Sequence, residues 1–106
     1  MEISDILCEI AQLLGVCGYP DPVKAVRLKQ WADDLRVSNS SQQRVEILTK
    51  VKNVIAGMNS LSDIYLVPAA RSEFSTNKAN RKLYYLVADL DHRVHAALDE
   101  IDEAAR

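Results

Sequence analysis

His92, His95 and Asp99 recur at three- and four-residue spacing near the end of the chain, with Asp89 three residues ahead of His92. On a helix that spacing gathers two imidazoles and a carboxylate on one side, a donor set suited to zinc or another divalent ion. A metal-dependent hydrolase is the enzyme this triplet would imply. Set against the apolar positions Leu90 and Val94, however, His92 and Asp99 point away from the core. Metal sites in helical bundles project inward and draw matching ligands from a second helix, and no Glu-x-x-His motif supplies them here. The triplet reads as charged helix surface, and no metal is expected.

Other chemistry is weaker still. The serines between Gly57 and Asp63 lack the Gly-x-Ser-x-Gly spacing of a nucleophile elbow. Cys8 and Cys17 fall in an apolar segment with no neighbouring base to form a thiolate. Nine residues apart, they face opposite sides of a helix, beyond disulfide reach, and have no metal-ligand spacing. They read as buried or half-buried thiols in a reducing cytoplasm. The three glycines form no phosphate-cradling loop. Adjacent acids such as Asp33 and Asp34 diverge by about 100° on a helix and do not share a site as acid and base. The expectation is a protein that is not an enzyme and takes no cofactor.

The elements that carry these residues are helices. Ile3, Ile6, Leu7, Ile10, Leu13 and Leu14 form one apolar stripe, predicting a first helix from about Ser4 to Val16, closed by Gly15, Gly18 and Pro20. Asp21 as N-cap with Pro22 at the first position opens a second helix to about Val37, with Val23, Leu28, Trp31, Ala32 and Leu35 inward. Ser40 and Gln43 have capping-box spacing for a third, whose stripe is Val45, Leu48, Val51, Ile55 and Met58 and which ends near Ala56 or Gly57. Pro68 to Ser75 reads as irregular chain, and Thr76 as the N-cap of a last helix over about Asn77 to Ala104.

That last helix has the cleanest pattern. Leu83, Val87, Leu90, Val94, Ala97, Ile101 and Ala104 alternate four-and-three, the seam of a shallow-angle bundle. At 1.5 Å per residue it spans roughly 40 Å, enough to project beyond its neighbours or to pair with a second copy. The fold class expected is all-α, a single four-helix bundle-like domain over residues 1–106 with a long C-terminal helix.

The bulk numbers agree. A chain of 106 residues with 48% hydrophobic and 26% charged residues supports one core. Its apolar runs fall far short of the roughly 20 residues a bilayer needs, and the acidic start, Met1 to Asp5, is unlike a signal peptide. A cytoplasmic protein without a membrane partner is expected. Net charge is −2, divided into −4 over residues 1–23, +6 over 24–82 and −4 over 83–106. Such polarity orients a charged protein partner. It is not the concentrated basic stripe of a nucleic-acid binder.

Helix building leaves one stretch unexplained, Gly57 to Leu66. As local structure, Gly57 caps the third helix, Ser60 and Asp63 cap one short turn, and Met58, Leu61, Ile64 and Leu66 enter the core. As a partner-facing loop, Tyr65 anchors while Asn59, Ser60, Ser62 and Asp63 supply specificity. The segment Gly57-Met58-Asn59-Ser60-Leu61-Ser62-Asp63, downstream of a helix holding Trp31, Ala32 and Leu35, resembles a family of small bacterial helical proteins of unknown function. Members carry Gly-Met-Gly-Ser-(Leu/Phe)-Asn-Asp at a similar distance. Here Asn59 stands for a glycine and Ser62 for an asparagine, and asparagine is the next most tolerant of positive φ. The resemblance covers the middle third of the chain. It implies a bacterial, cytoplasmic helical protein and brings no activity with it.

Small size, charge polarity and the lack of catalytic groups point to a protein-binding module. Its sharpest form is an immunity or antitoxin protein that occludes a toxin. Asn59, Ser60, Asp63 and Tyr65 of the loop are the candidate contacts, with Asp33, Asp34 and the Asp99–Glu103 cluster presenting carboxylates to a basic cleft. The alternative is a self-associating structural or regulatory adaptor, dimerising through the last helix.

Overall fold

The structure, a computed structural model, describes residues 2–56 and 60–104. The apolar stripes build four helices: α1 (Ile3–Val16), α2 (Pro22–Val37), α3 (Ser41–Ile55) and α4 (Thr76–Ala104). A single 3₁₀ turn, Leu61–Asp63, lies between α3 and α4. No strand occurs among the described residues. The domain is all-α and bundle-like, with a long C-terminal helix.

Local chemistry sets the ends. Gly18 takes φ +68°, a left-handed conformation that glycine adopts freely. It donates to the Gly15 carbonyl at 3.1 Å, while Tyr19 donates to that of Leu14 at 2.9 Å, closing α1 in a Schellman motif. Gly15 stays inside the helix and Cys17 is the cap. Asp21 accepts from Val23 N–H at 3.0 Å, and Ser40 from Gln43 N–H at 3.2 Å, so both predicted N-caps form. At α4 the cap lies one residue earlier than expected. Ser75 Oγ accepts from Lys78 N–H at 3.2 Å, and Thr76 is already helical.

The helices form a ring. α1 packs on α2 and α4, α3 packs on the same two, and the backbones of the diagonal pairs stay apart. Ile6, Ile10, Leu28, Ala32, Leu48, Val51, Leu90 and Val94 meet inside, each at most 1% exposed. Burying one such branched aliphatic side chain stabilises by about 1.5–3 kcal/mol before chain entropy opposes it.

Two assignments need correcting. Val23 is 51% exposed, because it lies about 140° round the helix from Leu28, while Ala25 packs against the core from the same first turn. The α4 seam is buried from Leu83 to Val94, only partly at Ala97 and Ile101, and not at Ala104. The seam therefore closes on this chain's own α1 and α3. Met58 lies outside the described residues.

Candidate functional site

The end of α3, the chain that follows the 3₁₀ turn and one flank of α4 enclose an apolar groove of about 470 Å³. Leu61, Ile64, Leu83 and Val87 line its inner part, and Tyr65 and Tyr84 stand at its lips. These tyrosines are 67% and 69% exposed. Tyr84 meets Tyr85 edge-on, with ring centroids 5.6 Å apart, which restrains both rings.

The groove keeps its shape through polar contacts that the apolar periodicity does not encode. Asn80, in the first turns of α4, accepts from Leu66 N–H at 2.7 Å and donates to the Leu66 carbonyl at 2.8 Å. It also donates to the Thr76 carbonyl at 2.8 Å. Leu66 is thereby fixed inward, at 1% exposure, while Tyr65 and Val67 on either side point out. Alternation along an extended segment does the rest. Ser62 Oγ donates to the Ile55 carbonyl at 2.6 Å and satisfies an orphan acceptor at the end of α3.

At the far end of the groove is Asp91. His95 Nδ1 sits 2.8 Å from the Asp91 carbonyl oxygen and 3.2 Å from its carboxylate. A carboxylate beside an apolar slot suits a hydrophobic side chain accompanied by a cation or hydrogen-bond donor.

The sequence-derived candidates are divided by the fold. Tyr65 lies on the groove. Asp63 is exposed on the 3₁₀ turn. Ser60 is 3% exposed, so its side chain does not face a partner. It does not cap the turn either, and its Oγ has no hydrogen-bond partner among the described residues. The turn is closed by backbone instead, Asp63 N–H donating to the Ser60 carbonyl at 3.1 Å. Asn59 lies outside the described residues. Asp33 and Asp34 sit on α2, whose backbone approaches neither α4 nor the 3₁₀ turn, and neither lines the groove. Asp33 pairs with Arg36 at 3.4 Å, and Asp34 accepts from Gln30 at 3.0 Å.

Tyr84 and Asn80 were not among the candidates. Tyr84 carried a readable signal, a large aromatic one position off the Leu83–Val87 seam. Asn80 carried none, since its partner is backbone fourteen residues away. Around His92, His95 and Asp99, no group of three or more His, Cys, Asp or Glu among the described residues converges to hold a metal.

Fold and groove together define an all-α domain with an aromatic-lipped apolar groove. No protein-family model, curated protein or solved structure matches the chain. No helix among the described residues is long and apolar enough to cross a membrane.

Proposed function

We propose that the chain is a non-enzymatic protein-binding module that takes a partner's apolar side chains into the groove between α3 and α4. The observation that carries this reading is the pair of exposed tyrosines at the lips of an apolar slot. Tyrosine contributes a large contact area at low entropy cost and is enriched among the residues that dominate protein interfaces. The clamp at Leu66 supports it further, because a groove already in shape needs little ordering on binding.

The finer form is an immunity or antitoxin protein acting in a bacterial cytoplasm. Small size and the acidic end of α4, with Asp99, Glu100 and Glu103, support that form, since inhibitors of basic clefts present carboxylates to them. Co-expression with the adjacent reading frame tests it. The expected result is a stable complex with a partner that is toxic alone. Tyr65→Ala and Tyr84→Ala should each weaken that complex by roughly tenfold or more while leaving the helical content intact. Tyrosine variants that bind as tightly as the parent would refute the groove. Recovery of no partner from the native host would count against the module itself.

A further inference from the structure

We propose that a second copy of this chain packs antiparallel along the outer face of α4, across a two-fold axis passing opposite Leu90. α4 has an outer face separate from its buried seam. Leu83, Val87, Leu90 and Val94 point into the bundle. The opposite side carries Tyr85, Ala88, His92 and Ala96, all exposed; Ala88 also edges the groove, and His92 and Ala96 border a shallow depression shared with Ile3 and Arg44. Ala88, Ala96 and the exposed ring of Tyr85 surround His92 at the middle of this solvent-facing side.

The charges at either end of this face are complementary in one direction only. α4 opens with Lys78, Arg81 and Lys82 and closes with Asp99, Glu100 and Glu103. A parallel copy would set like charges together, whereas an antiparallel copy sets each basic start against an acidic end. A two-fold interface demands such self-complementarity, because residue i meets j and j meets i.

The register then follows from helical geometry, with positions equally far before and after Leu90 facing each other. Arg81 and Asp99, both exposed and without an ion-pair partner among the described residues, meet across the axis. Ala88 meets His92 across the same axis.

From Arg81 to Asp99 the contact runs roughly 27 Å, a single helix pair. That sits at the low end of specific interfaces, so a dimer forming at about 10–100 μM is expected. Tyr84 and Ala88 line the groove, whereas Arg81 and Asp99 do not.

Sedimentation of the full chain up to ~300 μM in low salt, with circular dichroism as the folding control, decides the matter. The expected result is a dimer weakened about tenfold by Arg81→Asp or by Asp99→Arg, because symmetry turns two attractions into two repulsions. The double variant R81D/D99R should restore it, while Tyr65→Ala, a groove substitution, leaves it unchanged. A strict monomer at ~300 μM would overturn the proposal. So would a dimer that ignores both single swaps, or one that the double variant does not recover.

Discussion

Asn80 meets both backbone polar groups of Leu66, accepting from its N–H at 2.7 Å and donating to its carbonyl at 2.8 Å. One side chain thus does for a single residue what a neighbouring strand does for a sheet edge. It does so from the helix that forms the other wall of the groove. Asn80→Ala leaves those two groups and the Thr76 carbonyl without this partner. At about 1 kcal/mol for each net hydrogen bond, a loss of roughly 2–3 kcal/mol is expected in urea unfolding. Asn80→Asp should recover little, because it sets a carboxylate oxygen against the Leu66 carbonyl.

Ser60 and Ser62, two residues apart, should respond in opposite ways. The Ser60 hydroxyl is buried with no partner among the described residues, so Ser60→Ala should leave stability unchanged or raise it by up to about 1 kcal/mol. Ser62→Ala deletes the bond to Ile55 and should lower stability by about 0.5–1 kcal/mol. Equal losses at both positions in thermal melts would show that Ser60 is held after all.

The glycines of α1 make a second opposed pair. Gly15 is helical, and an added Cβ there meets nothing within 4 Å, so Gly15→Ala should stabilise by about 0.5–1 kcal/mol. Gly18 has equal space but holds φ +68°, where Gly18→Ala should cost about 1 kcal/mol or more. Denaturant midpoints of the two variants should move in opposite directions.

Burial pushes the Cys17 thiol above its ordinary value, with Lys82 pulling weakly the other way. The folded state then keeps its proton where the unfolded chain has released it. The contribution to stability is complete below the ordinary thiol pKa of about 8.5 and is lost as pH rises through the raised folded value. Urea midpoints of the parent and Cys17→Ser should run parallel up to about pH 8. Above that the parent should fall faster.

How far the sequence carried these features depended on the kind of interaction. Helices and their caps at Asp21 and Ser40 were legible because their partners lie two or three residues away. The inward turn of Leu28, Leu48 and Leu90 was legible because helical period alone decides it. Val23 was misassigned because it was placed by residue type, whereas helical period sets it about 140° from Leu28 and leaves the inward place in that turn to Ala25. The groove was half legible. Tyr65 stood out by type, but Tyr84 becomes a lip only where the end of α3 leaves a gap beside α4. Ser60 looked like a cap by spacing, and only tertiary placement shows its hydroxyl turned inside.

The ring of helices bears on how the chain is made. α1 packs on α2, its immediate successor, and also on α4, whose buried residues reach to Val94. During synthesis at roughly 5–20 residues per second, part of the α1 stripe therefore waits about 4–16 s for the helix that covers it. Until then the nascent chain shows the ribosome exit an uncovered row of isoleucines and leucines. That interval, rather than the stability of the finished bundle, is when a holding chaperone would have something to bind.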